Sequence, residues 1–178
     1  RHKDIRLDAE QTATLHAAFE RILANNLAQP SVYVHRDYHS RNLMVLPEGR
    51  NPGILDFQDA VYGPITYDLV SLLRDAYIRW DEAQVLDWAI RYWEEARAAG
   101  LPVAADFSDF YRDFEWMGLQ RHLKVLGIFA RLFHRDGKPG YLADMPLVLE
   151  YVLQVVRRYV DLAPLARLIE GIEERKPG

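Results

Sequence analysis

The feature that most constrains this chain is a polar run held between short apolar segments, His35-Arg36-Asp37-Tyr38-His39-Ser40-Arg41-Asn42, followed fourteen residues after Asn42 by Asp56. Ser31-Val32-Tyr33-Val34 precedes the run and Leu43-Met44-Val45-Leu46 follows it; Gly53-Ile54-Leu55-Asp56 comes after the turn-rich Pro47-Glu48-Gly49-Arg50-Asn51-Pro52. Apolar runs of this length bounded by turn formers predict short strands, with a hairpin joining the second and third. Such a hairpin returns Asp56 to the end at which Asn42 stands.

The rest of the chain predicts helices. Between Asp8 and Gln29 the apolar residues Leu15, Phe19, Ile22, Leu23 and Leu27 recur at helical spacing, with Asp8 placed as an N-cap and Pro30 as a stop. After Pro64, helical segments are expected near 67–79, 82–99, 107–134, 145–160 and 162–174, broken by Gly100-Leu101-Pro102 and Asp136-Gly137-Lys138-Pro139-Gly140. The fold class is therefore α+β, predominantly α, with a small β insert. A chain of 178 residues fits one domain and buries about 70% of its unfolded surface. No internal repeat, low-complexity tract or linker-like stretch marks a second domain.

Charge and composition remove several function classes. Twenty-two basic against 26 acidic residues give a net charge of −4 with no cationic run, so nothing supports a nucleic-acid partner. The absence of cysteine excludes disulfides, thiolate zinc sites and thiol catalysis, and suits a reducing compartment. No apolar run approaches the roughly 18 residues of a membrane span, and no charged-then-apolar leader opens the chain. The expectation is a cytoplasmic protein without a membrane partner, and a start at Arg1 suggests that an upstream region is missing.

Moving a phosphoryl group requires an acceptor for the substrate hydroxyl's proton and oxygen ligands for a cation across the phosphates, because catalysis there is mostly positioning and charge stabilisation. Asp37 and Asn42, five residues apart, match the Asp and Asn of a His-Arg-Asp-x-x-x-x-Asn loop. Taken alone, the pair also reads as a polar turn between strands. With Asp56 added, one amide oxygen, one carboxylate and nucleotide phosphates make a sensible Mg²⁺ set.

Asp56-Phe57-Gln58-Asp59 departs from Asp-Phe-Gly, and Gly63-Pro64-Ile65-Thr66-Tyr67-Asp68-Leu69 follows it. The spacing Asp56, Gly63, Asp68-Leu69 resembles the second signature of aminoglycoside phosphotransferases and their choline-kinase-like relatives. The loop 37–42, the Asp56 segment and Gln120-Arg121-His122-Leu123-Lys124-Val125-Leu126-Gly127 are similar to one branch, the bacterial kinases that phosphorylate N-acetylmuramate and N-acetylglucosamine at C1 in cell-wall sugar recycling. The resemblance covers most of residues 30–135. It implies a protein-kinase-like C-terminal lobe whose small β-hairpin carries the catalytic and metal loops. It further implies that Asp37 is the catalytic base, that Asn42 and Asp56 hold Mg²⁺, that His35 supports the loop, and that Asp68 braces it. Asp68 can equally serve as an N-cap for the helix that follows.

The other half of an ATP site, a glycine-rich strand turn and a strand lysine, has no counterpart here. The ten glycines contain no G-x-G-x-x-G, and the four lysines, Lys3, Lys124, Lys138 and Lys176, lie outside any Val-Ala-x-Lys context. Residues 1–178 are thus expected to be a single C-terminal lobe, inactive alone, whose N-terminal nucleotide-clamping lobe is absent.

For the acceptor, Asp113, Trp116, Gln120, Lys124, Gly127 and Arg131 fall on one helical stripe, against an apolar stripe of Leu119, Leu123, Leu126, Ala130 and Phe133. The polar stripe reads either as a solvated face or as a surface for a sugar bearing a carboxylate, with Trp116 stacking and Gln120 and Lys124 pairing. Tyr38, His39, Arg41, Gln58 and Asp59 enter as substrate candidates by proximity to the reacting groups. Tyr77, Trp80, Trp88, Tyr92 and Trp93 read as core or groove lining. The alternatives to a sugar kinase are a kinase for an aminoglycoside, choline or homoserine, and a non-catalytic kinase-like binding module.

Overall fold

The computed structural model describes residues 5–174, so Lys3 and Lys176 lie outside the described residues. In chain order the elements are α1 (Ala9–Ala28), β1 (Ser31–Val34), β2 (Leu43–Met44), β3 (Gly53–Ile54), β4 (Val61–Pro64), α2 (Tyr67–Leu73), α3 (Glu82–Ala98), α4 (Phe107–Asp136), α5 (Met145–Arg158) and α6 (Ala163–Glu174). The molecule is predominantly helical with two small antiparallel sheets.

Local chemistry sets several boundaries. The Asp8 carboxylate accepts the Gln11 N–H at 2.8 Å while the Gln11 side chain accepts the Asp8 N–H at 3.1 Å, a reciprocal cap that starts α1. Asp81 starts α3 by accepting the Ala83 N–H at 2.9 Å. β2 and β3 form the expected hairpin, with Leu43 opposite Ile54 and Met44 opposite Gly53. The strands are shorter than the apolar runs because the Leu46 N–H turns to the Asn51 side chain at 2.5 Å. Gly53 suits this tight return: a Cβ there would stand 3.1 Å from the Leu46 side chain.

Three expectations need correction. β4 is an additional strand, pairing with β1 from Ser31 opposite Pro64 to Val34 opposite Val61. Helix α2 ends at Leu73, not near 79. On α1, Phe19, Leu23 and Leu27 are exposed, and the buried line is Ala18, Ile22 and Asn26, followed by Gln29 just past the helix.

The described chain divides into two compact units, one built from the segments before Asn25 and after Gly118, the other Asn25–Gly118. Both boundaries fall inside helices, α1 and α4, which is why composition gives no linker signal there. The Asn25–Gly118 unit has a core of Leu69, Val70, Leu73, Val85, Ala89, Phe110, Phe114 and Met117, against which Trp80, Trp88, Tyr92 and Trp93 pack. The other unit buries Val148, Val152, Val155 and Val156 of α5 with Leu162 and Leu165, and His122 stacks on Tyr151 with ring centroids 5.0 Å apart. No helix among the described residues is long and apolar enough to cross a membrane.

Candidate active site

β1 delivers the chain into residues 35–42 from a buried Val34, and the loop is then held by side chains that arrive from later in the sequence. The Asp68 carboxylate, in the first turn of α2, accepts the His35 N–H at 2.6 Å and the Arg36 N–H at 3.0 Å. Asp68 is not the N-cap, a position taken by Thr66. Instead the Thr66 hydroxyl donates to the Gln29 side chain at 2.7 Å, and Gln29 donates onward to the Asp113 carbonyl at 3.2 Å. Burial, and after it the charge of Asp68, push the Tyr92 phenol up from its usual value.

His35 ties the loop to the hairpin. Its Nδ1 faces the Asp37 N–H at 3.3 Å and its Nε2 faces the Leu55 carbonyl at 2.8 Å. A ring protonated at Nε2 satisfies both contacts, accepting from Asp37 and donating to Leu55. Arg36 then adopts φ 79, a left-handed conformation that turns the chain into Asp37, and its guanidinium donates to the Asp59 carbonyl at 3.3 Å.

After Asp37 the loop closes on itself. The Asp37 carbonyl accepts the His39 N–H at 3.0 Å and the Asn42 side-chain amide at 2.9 Å, and the Asn42 N–H donates to the His39 carbonyl at 2.9 Å. The Leu55 N–H donates to the Asn42 carbonyl at 3.0 Å. The hairpin thereby sets Asn42 opposite Leu55, one residue from Asp56. Asp56 has φ 63, a region that Asp and Asn enter more readily than other side chains. Gln58 donates to one Asp56 carboxylate oxygen at 2.5 Å.

Among the described residues no three His, Cys, Asp or Glu side chains are grouped to hold a metal ion. A hard divalent cation sharing its ligands with phosphate oxygens needs fewer protein donors. The exposed Asp56 carboxylate fits that chemistry, as does Asn42, whose amide nitrogen is engaged by Asp37.

The remaining candidates separate. Tyr38 packs edge-on to His35 and His39 edge-on to Tyr77, while the Arg41 guanidinium lies 3.5 Å from the Tyr77 ring centroid. Gln58 and Asp59 sit in the turn after Asp56. Trp116 corrects the expected polar stripe: it is only 2% exposed, because α4 is buried on every side from Phe114 to Leu119. Gln120 and Lys124 line a cavity of about 290 Å³ with Phe19, Ile22, Leu23 and Leu123. Of the expected apolar stripe only Leu119 is buried, accompanied by His122 and Phe129.

One residue of this region carries no pattern in the sequence. The Asp75 carboxylate, 3% exposed, accepts the Ser40 N–H at 3.2 Å, the Ser40 hydroxyl at 2.6 Å and the Tyr77 N–H at 3.0 Å.

Residues 1–101 match the family described as the Phosphotransferase enzyme family. The chain is similar to the N-acetylmuramate/N-acetylglucosamine kinase of Neisseria meningitidis serogroup B, 66% identical over 155 residues, covering 85% of this chain and 46% of that protein. The same-named protein of Pseudomonas putida is 51% identical over 92% of the chain and 48% of its own length. That of Pseudomonas aeruginosa is 45% identical over 98% of the chain and 51% of its own length. The chain spans about half the length of the curated relatives it matches.

Proposed function

The chain belongs to the Phosphotransferase enzyme family, and from that premise we propose that it carries the catalytic half of an ATP-dependent kinase for the anomeric hydroxyl of N-acetylmuramate or N-acetylglucosamine. The observation that carries this reading is the loop 35–42, fastened so that Asn42 stands opposite Leu55, the residue before Asp56. In the proposed reaction the sugar oxygen attacks the γ-phosphorus, ADP departs, and the hydroxyl proton passes to the Asp37 carboxylate. The Asn42 side-chain oxygen and the Asp56 carboxylate would hold Mg²⁺, which would supply charge neutralisation for phosphoryl transfer. His35 and Asp68 keep the loop in register.

The names of the relatives favour the sugar over an aminoglycoside, choline or homoserine, and the exposed Lys124 and Arg131 suit an acidic acceptor better than a polyamine. An N-terminal lobe supplying the phosphate clamp is part of the proposal. It is supported by the half-length coverage of the relatives and by the exposure of Met44, Val45, Ile54, Leu55 and Phe57 around the hairpin, apolar surface that a second lobe would cover.

The test is ADP release by the full-length protein across an acceptor panel. The two amino sugars should be turned over, aminoglycosides, choline and homoserine should stay at background, and Asp37→Asn should lose about 10²- to 10⁴-fold in rate. Residues 1–178 alone should give no turnover. Undiminished turnover by Asp37→Asn removes the base assignment, and preference for an amine-bearing acceptor removes the sugar.

A further inference from the structure

We propose that Asp75 is a positioning residue for phosphotransfer, which together with Asp68 clamps the catalytic loop at its two ends and sets the separation of Asp37 from Asn42. The inference rests on the kinase reading for its functional consequence, but the clamp itself is a matter of hydrogen bonding.

Asp68 and Asp75 are seven residues apart in sequence; α2 (Tyr67–Leu73) carries Asp68 in its first turn and ends two residues before Asp75. The two carboxylates grip opposite sides of Asp37. Asp68 takes the N–H groups of His35 and Arg36, just before it, and Asp75 takes the N–H and hydroxyl of Ser40, three residues after it. α2 is thus a short spacer with one acceptor in its first turn and the other just past its C-terminal end. Val70 and Leu73, buried in the core of the Asn25–Gly118 unit, fix the spacer against the rest of that unit.

Burying a carboxylate is unfavourable unless its oxygens are satisfied. Asp75 meets that condition with three donors, two of them on Ser40 and one on the Tyr77 backbone. The same turn brings Tyr77 under the guanidinium of Arg41 and beside the His39 ring, so each of residues 39–41 is held from the segment 75–77. Ser40 opens the single helical turn Ser40–Asn42. A shift of Ser40 therefore moves Asn42 relative to Asp37, loosening the 2.9 Å bond between them. Misplacement of a reacting group by about 1 Å can reduce rate about 100-fold.

The experiment uses the full-length protein and the variants Asp75→Asn, Ser40→Ala and the double variant. Hydrogen exchange without nucleotide or metal reads the clamp directly. In Asp75→Asn, the amides of Ser40 and Asn42 should exchange at least about tenfold faster while α3 amides keep their protection. Steady-state kinetics reads the consequence: kcat should fall about 10- to 100-fold and the half-saturating Mg²⁺ concentration should rise several-fold, with sugar KM within about threefold of wild type. Calorimetry of Mg²⁺ with a non-hydrolysable ATP analogue should show the same weakening. The double variant should be little worse than Asp75→Asn. Unchanged exchange at residues 39–42 overturns the clamp. Faster exchange with unaltered Mg²⁺ dependence overturns the positioning role. A wild-type protein without phosphotransfer activity overturns the kinase reading and the functional half of this one, while the exchange data still decide the clamp.

Discussion

Asp68 holds His35 through a carboxylate-to-amide hydrogen bond of 2.6 Å, and its second oxygen holds the next amide, that of Arg36, at 3.0 Å. One side chain thus satisfies two successive N–H groups at the point where the backbone enters φ 79. Asp68→Ala leaves two partly buried donors without an acceptor and should cost about 2 kcal/mol of stability. Asp68→Asn keeps one acceptor oxygen and should cost about half as much. Urea unfolding of the three proteins measures both values, and a loss within about 0.5 kcal/mol of zero for Asp68→Ala would show that the two amides find water instead.

Asp56 separates fold from function at a single position. Its left-handed backbone, φ 63 and ψ 35, is one that Asn also adopts, so Asp56→Asn should unfold within about 0.5 kcal/mol of wild type. Under the proposed metal role the same change removes the one negative charge that Asp56 and Asn42 would offer a cation, and turnover by the full-length protein should fall at least about 100-fold, with a raised Mg²⁺ requirement. Asp56→Ala should lose activity similarly and stability as well, since a residue lacking the Asx side chain is strained at positive φ. Full activity in Asp56→Asn would overturn the proposed metal role of Asp56.

What was legible in the sequence was whatever is written locally. Asp8 stands where a cap belongs, and α1 starts at the next residue. The hairpin at 43–54 was legible because turn formers separate two apolar runs. β4 was not, since Val61-Tyr62-Gly63-Pro64 has only two strand formers and its partners on β1 lie 27 to 33 residues away. The end of α2 was not legible either: Arg74-Asp75-Ala76-Tyr77-Ile78-Arg79 has no stop signal, and the chain leaves the helix where Asp75 binds Ser40 and the Tyr77 amide. Asp37, Asn42 and Asp56 are candidates that spacing singles out, whereas Asp75 belongs to no spacing and appears only through its contacts.

Trp116 tests whether the middle of α4 serves packing or recognition. Its ring is 2% exposed, its carbonyl accepts the Asn26 side chain at 3.5 Å, and Arg112 lies over the ring at 4.9 Å. Trp116→Ala should therefore cost about 3–5 kcal/mol, while the folded fraction of the full-length protein keeps its KM for the proposed sugar close to wild type. A tenfold rise in KM with unaltered stability would return Trp116 to the acceptor site.

Asp113 gives the Asn25–Gly118 unit a pH dependence of definite sign. Burial pushes its carboxyl up from the usual carboxylate range; the hydrogen bond from Asn25 at 3.0 Å and the charge of Arg112 oppose that push, and Asp109 adds to it. A carboxyl whose folded pKa lies above its unfolded value binds more protons in the folded state, so stability falls as pH rises from the unfolded toward the folded pKa. Above that window the loss is complete and constant. Asp113→Asn keeps an oxygen for the Asn25 amide but has no charge to desolvate. Its stability relative to wild type should therefore rise with pH through the window that begins near the ordinary carboxylate value of about 4 and level off above it. Chemical denaturation of both proteins at several pH values between about 3.5 and 7.5 measures the difference. A difference that stays constant, or that shrinks as pH rises, would mean that the Asn25 and Arg112 contacts outweigh burial and that the carboxylate at 113 stabilises the fold when charged.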